Sequence, residues 1–402
     1  MRETVVALKV VIFGARLNSN LGGPSLYVGT EKAIGSFEKD AQISYFTTAQ
    51  ELTNDRNIQH LYGVEVLPLD ENLLTIGGLF FRLFKFFPFP QFRQSHTALR
   101  EADVIIDIWG IMFTDLLGKN TFINRFREGL RLLLGRIYRV PLIKGTAALG
   151  PFNMKWNRRL ASFYLGRCVN HVMTRDEESY NAVNRIGVKK GVSLTGDTAF
   201  LLPPEDRPPV FIDESRENVL ISVSQQAFRR AKNEESYLKT ISGFIDHVID
   251  EYSATVTLLP NAVVAEDNDL KIAEKVKNLV ASEGCVVVDP TLLSAMQIKG
   301  VVSQSSVVVA SRYHTVIAAL SLQKPTISIG WHYKYRGVLG LFGMEEWDLP
   351  VENLTLDSLK NTFDQLWSQR NDLSKAIGLR LPQIKEDIYE TYRGVLSSVL
   401  PR

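Results

Sequence analysis

Short apolar runs alternate with stretches of helical period along most of this chain. Residues 5–13, 42–46, 64–68, 104–109, 142–145, 171–174 and 192–194 are brief, apolar and β-rich, and helix-like segments over 24–37, 122–138 and 156–167 lie between them. Such alternation predicts parallel βαβ units wound into an open sheet. The proline cluster at 203–209 (PPEDRPP) reads as a linker. Strands at 219–223, 255–260, 285–288, 307–310 and 325–329 follow, with helices over 235–252 and 270–282 and another directly after residue 310. Amphipathic helices over 360–376 and 381–396 come last. The expected organisation is α/β: one Rossmann-like domain over 1–205, a second over 210–355, and a helical segment over 356–402.

Length agrees, because 402 residues exceed one ordinary domain and suffice for two cores. A composition of 45% hydrophobic and 22% charged residues is that of a soluble globular protein. No run approaches the ~20 apolar residues of a membrane span, and the first residues read as a strand rather than a secretory signal. Cys168 and Cys285, far apart and in apolar contexts, read as reduced thiols, so the expected location is cytoplasmic. The net charge of +2 hides an asymmetry. Residues 1–205 carry 25 Lys and Arg against 19 Asp and Glu, the remainder 21 against 25, and residues 82–167 alone carry 15 against 5. That stretch predicts an anionic partner, and nucleic acid is not expected.

Candidate chemistry sits where strands end. The 307–310 strand runs into Ser311, Arg312, Tyr313 and His314, and a helix begins at once. Unpaired N–H groups and the positive end of the helix dipole make such a junction an anion site. A second basic loop, Gly330 to Gly337 (GWHYKYRG), follows the next buried strand. Together they predict a small, multiply charged anion held between two loops. Two Rossmann-like halves facing a cleft form the GT-B pattern, in which ligands lie outside the carboxyl ends of the strands.

Three blocks, in order, resemble the polysaccharide pyruvyl transferase family. They are Gly145 to Phe152 (GTAALGPF); His171 to Ser179 (HVMTRDEES) with Ile186–Val188 (IGV) and Gly196 to Leu202 (GDTAFLL); and Ser311 to His314 with Lys334 downstream. The sequence departs from the family pattern at Asn20 to Ser25 (NLGGPS), which lacks the usual carboxylate, and at Ile108 to Phe113 (IWGIMF), where bulk replaces small residues. Both segments are expected on the acceptor side. The resemblance implies transfer of pyruvate from phosphoenolpyruvate to sugar hydroxyls, with ketal formation, in surface polysaccharide biosynthesis. It implies His314 as the acid that protonates the vinyl carbon, Arg175, Arg312 and Lys334 as cations for carboxylate and phosphate, and no metal or other cofactor. The partners implied are phosphoenolpyruvate and a sugar or lipid-linked glycan.

Simpler roles stand beside these. Arg175 could cap a helix or pair with a neighbour, Lys334 could be a solvated loop lysine, and His332 and Arg336 could substitute for it. Asn20, Gly22, Gly23 and Gly110 are candidate substrate contacts through backbone N–H groups. Asp197 is another candidate, although it reads first as a turn former after Gly196. Asp107 and Asp115 flank Gly110 as acceptor bases or as structural carboxylates. His60, His96, His171 and His247 lack metal-ligand spacing. Residues 79–92 hold seven phenylalanines with Arg82 and Lys85; they read either as a peripheral membrane patch or as a buried interface helix. Nucleotide-sugar transfer and non-catalytic glycan binding are the alternative functions.

Overall fold

The apolar runs become strands of two separate parallel sheets. The computed structural model describes residues 7–18, 21–115, 122–189, 191–210, 215–264 and 267–400. These form two compact units. In the first, β1 (Lys9–Phe13), β2 (Gln42–Thr48), β3 (Glu65–Leu69), β4 (Val104–Asp107), β6 (Leu142–Leu149), β7 (His171–Thr174) and β8 (Val192–Leu194) lie in the order 3-2-1-4-6-7-8, all parallel, while the short β5 (Ile111–Met112) pairs with the end of β6.

The second unit contains β9 (Asn218–Ser222), β10 (Thr255–Leu258), β13 (Cys285–Val287), β14 (Val307–Ala310), β15 (Thr326–Gly330) and β16 (Asp348–Pro350). Their order is 13-10-9-14-15-16, again parallel. A hairpin of β11 (Val263–Val264) and β12 (Asp267–Asn268) stands apart. Counted within the unit and leaving out the hairpin, this order is 3-2-1-4-5-6, the dinucleotide-fold order, which reverses between its first and fourth strands. Strands β4, β9 and β14 are buried at every residue, as expected for strands covered on both faces.

The domain boundaries differ from those read in the sequence. The second unit takes residues 21–25 and 199–385, and residues 386–400 group with the first unit. The two expected C-terminal helices are one, Leu356–Val399, which runs through Gly378 and Pro382. Both residues are helix breakers by propensity, but Ile377, Leu381, Ile388 and Tyr392 are buried along it, and packing overrides propensity. The 122–138 segment divides into Phe122–Leu130 and Leu133–Tyr138. The break falls where Arg131 turns inward.

The phenylalanine-rich segment meets neither expectation whole. Asp70 caps the helix Glu71–Phe84 by accepting from Asn72 and Leu73 N–H, and Lys85 closes it in the left-handed conformation. Phe87 and Phe92 are buried in the core, whereas Phe80, Phe84 and Phe86 are exposed.

Candidate active site

In both units the predicted residues stand at the carboxyl ends of strands. In the second unit Arg312 follows β14 directly, beside the point where the strand order reverses. Its Nε donates to Asp269 Oδ2 (2.7 Å) and its Nη2 to Asp269 Oδ1 (2.6 Å), and Nη2 also pairs with Asp267 Oδ1 (2.7 Å). Asp269 further accepts from the backbone N–H groups of Gln225, Asn261 and Ala262. Burial works against the guanidinium charge, and the two carboxylates more than offset it. Arg312 therefore ties the 267–269 segment to the helix Tyr313–Ser321. Only its Nη1 makes no hydrogen bond among the described residues.

Lys334 begins the helix Lys334–Gly340 after β15 and is buried. Its Nζ lies 4.8 Å from the Trp331 ring centre, 5.1 Å from Tyr313 and 5.6 Å from Tyr335, within cation–π range of all three. The Tyr335 hydroxyl (2.8 Å) and Trp331 Nε1 (3.3 Å) both donate to the Ser311 carbonyl, fixing this aromatic box to the turn that carries Arg312. The His314 ring, half-buried, packs edge-on to Tyr313 at 5.3 Å. Arg312, His314 and Lys334 thus stand at the ends of two adjacent strands joined through Tyr313 and Ser311. His332 supports the same turn, its Nδ1 accepting from Lys334 N–H at 3.4 Å, and Arg336 is exposed.

The first unit brings together a second set. Arg175 follows β7 and donates from Nη1 to Asp197 Oδ2 at 2.8 Å, both side chains about 1% exposed. Asp197 is therefore half of a buried ion pair rather than only a turn former. Gly110 lies against this pair; a Cβ there would come within 3.5 Å of Arg175 Nη1. Gly22 and Gly23, which group with the second unit, form the first turn of the helix Gly22–Gly35 rather than a loop, and Asn20 lies outside the described residues.

Sequence reasoning missed Lys144 and Arg131. Lys144 Nζ, wholly buried, donates to the carbonyls of Asp107 and Trp109 (both 2.9 Å) and lies 3.4 Å from Asp107 Oδ1. Arg131 Nε is 3.8 Å from Asp107 Oδ2, and its guanidinium covers the Trp109 ring at 4.9 Å. Burial, opposed by Asp107 and reinforced by Arg131, lowers the Lys144 ammonium to about 8. Gly14 is required here: its φ is +111°, and a Cβ would lie 2.6 Å from Asp107 Oδ1. The available signal was a lysine inside an otherwise apolar central strand.

Several of the remaining candidates have structural roles. Asp115 accepts from the N–H groups of Asn153 and Met154 and from Asn157 Nδ2, ahead of the helix Lys155–Phe163. The bulk of the 108–113 segment turns inward, with Ile108, Met112 and Phe113 all buried. It therefore fills the core rather than an acceptor site, leaving Trp109, Gly110 and Ile111 partly exposed. His96, His171 and His247 contact Tyr138, Ser193 and Asp364 respectively. Among the described residues no cluster of His, Cys, Asp and Glu suits a metal ion.

Two Rossmann-like units with polar groups gathered at strand ends define the GT-B-like class, and solved structures of that class match at low sequence identity. The UDP-GlcNAc 2-epimerase of Neisseria meningitidis, bound to UDP-GlcNAc, matches with a TM-score of 0.61 and 13% identity over 97% of this chain and 99% of its own. Anabaena HepE, in complex with UDP and glucose, matches with a TM-score of 0.58 and 15% identity over 97% and 100%. At such identities the likeness concerns fold alone. The polysaccharide pyruvyl transferase family matches residues 48–333, most of the chain, and the protein belongs to that family. It is an enzyme of pyruvyl transfer.

Proposed function

We propose that the enzyme takes pyruvate from phosphoenolpyruvate and closes it as a ketal across two hydroxyls of a surface-glycan sugar. The observation that carries this reading is the grouping of Arg312, His314 and Lys334 on two adjacent strand ends of one sheet, in a chain of this family. The donor carries a carboxylate and a phosphate, and it needs both cations and an acid. His314 protonates the vinyl carbon, giving a cationic centre that the first sugar hydroxyl attacks. Phosphate leaves, stabilised by Lys334 and the Nη1 edge of Arg312, and the second hydroxyl closes the ring. One hydroxyl proton restores His314 and the other leaves with phosphate. No step is redox, so no redox cofactor is required. Arg175, buried and paired with Asp197, is in this reading a cation of the first unit that positions Gly110, the proposed backbone contact to the acceptor.

Mass spectrometry of lipid-linked and nucleotide-linked sugars incubated with enzyme and phosphoenolpyruvate tests it. The expected product is heavier by pyruvate less water, with release of one phosphate. Absence of phosphate release with every sugar, together with tight calorimetric binding of a UDP- or GDP-sugar, would instead establish nucleotide-sugar chemistry. The UDP-GlcNAc bound by one structural neighbour and the UDP and glucose bound by the other favour that second reading. Against it, Asp267 and Asp269, the acidic pair by the β14 strand end, are already engaged by Arg312.

A further inference from the structure

The helix Glu71–Phe84 is apolar on two opposite faces. Leu74, Gly77 and Gly78 are buried, while Ile76, Leu79, Phe80, Leu83 and Phe84 form an exposed stripe at helical spacing, with Leu83 75% and Phe84 63% accessible. Phe86, just beyond the helix, extends the stripe at 60% accessible. A helix apolar around its circumference belongs in a core or against a membrane, and contiguous exposed apolar surface marks a contact site.

Beside the stripe lies a cavity of about 220 Å³ lined by Arg82, Lys85, Arg100 and Arg139. None of the four has a carboxylate partner among the described residues. Lys85 and Arg139 cap the helices Glu71–Phe84 and Leu133–Tyr138, and Arg100 lies in the last turn of Arg93–Glu101. Each helix end contributes roughly half a negative charge, so three ends leave most of four positive charges unbalanced. Buried His96 also lines the cavity. Because the Tyr138 hydroxyl donates to the Leu74 carbonyl, it accepts from His96 Nδ1–H, and His96 Nε2 is left without a hydrogen-bond partner among the described residues.

We infer that this face docks on a bilayer of anionic phospholipid, the aromatic stripe entering the acyl boundary and the cation-lined cavity taking a phosphate headgroup. Charge complementarity decides the occupant. A second copy placed on the same patch by two-fold symmetry would set four cations against four, whereas anionic headgroups neutralise them. The inference rests on the first unit alone and is independent of the donor reading.

Vesicle co-sedimentation of the intact enzyme tests it, with phosphatidylglycerol/phosphatidylcholine vesicles against phosphatidylcholine alone at low and high salt. Binding is expected only with the anionic lipid, and it should weaken as salt screens the headgroups over ~10 Å at 0.1 M. Phe80→Ser/Phe84→Ser should abolish it while far-ultraviolet circular dichroism and the melting temperature stay near wild type. Arg82→Gln/Lys85→Asn should weaken it about fivefold per cation removed. Four results overturn the inference. One is no anionic-vesicle binding at low salt; another is equal binding to both vesicle types. The third is a light-scattering dimer that Phe84→Ser dissolves, without vesicle binding. Calorimetric binding of glycerol phosphate that requires Arg82 and Lys85, again without vesicle binding, would identify a soluble-anion site and equally overturn it.

Discussion

Arg312 and Asp269 form a two-point pair, Nε to Oδ2 at 2.7 Å and Nη2 to Oδ1 at 2.6 Å. The motif arginine is thus held before any substrate arrives. Asp269 also accepts three backbone N–H groups, so it fixes the loops after β9 and β10 with the same carboxylate. Asp269→Ala should destabilise the protein by ~3–5 kcal/mol, the range for removing one partner of a buried pair. Denaturant unfolding checks this. A loss below ~1 kcal/mol would mean that the pair is solvated and of little structural weight.

His314→Ala should lower kcat by ~10²-fold or more if its proton goes to the vinyl carbon. His314 packs against Tyr313 and is half-buried, so a stability control belongs in the same experiment. Normal turnover in a folded His314→Ala enzyme would remove His314 from the acid role.

Lys334→Met keeps the apolar stem inside the aromatic box and deletes the charge. The KM for phosphoenolpyruvate should then rise about tenfold or more, the low end for a lost charge-assisted hydrogen bond. Acceptor KM should stay near wild type. An unchanged donor KM would leave Lys334 as a packing element of Trp331, Tyr313 and Tyr335.

Lys144 gives the protein a signature in alkaline solution. Its ammonium is lowered from 10.5 to about 8, chiefly by burial. Below pH ~8 both folded and unfolded chains hold the proton, so this group adds no pH dependence. Between about 8 and 10.5 the unfolded chain retains a proton that the folded one has released, and stability therefore rises with pH. The rise is about 3 kcal/mol in all at 1.36 kcal/mol per pH unit. Urea titrations at pH about 7.5, about 9 and about 10.5, which span the window, should show this slope in wild type and its loss in Lys144→Met. Parallel stability profiles would refute the assignment.

Most of the sheet was legible because a strand buried on both faces needs a continuous apolar run, and β4, β9 and β14 have one. What was illegible depends on contacts distant in sequence. β5 has two residues and β16 carries Asp348 and Pro350, so neither has a run to read. The helix Leu356–Val399 looked broken because Gly378 and Pro382 are breakers only when nothing packs beside them. The Arg312, His314 and Lys334 grouping was readable from its place after apolar strands. The ion pairs of Arg312 and Arg175 were not, since Asp269 lies 43 residues from Arg312 and Asp197 lies 22 from Arg175. Ile108 to Phe113 read as lining the acceptor side because the sequence does not reveal which of its bulky residues are buried, and Ile108, Met112 and Phe113 are.

The helix Leu356–Val399 sets the order in which the enzyme can be completed. Its residues from 386 onward belong to the first unit, where Tyr392 is wholly buried and its hydroxyl lies 3.4 Å from Thr30 Oγ1. During synthesis, the unit begun by β1 waits for an element encoded more than 300 codons later. Cutting the gene at the proline cluster would therefore yield an N-terminal fragment with a hole where Tyr392 packs. Two-piece reconstitution should succeed only when residues 386–400 are supplied to that fragment.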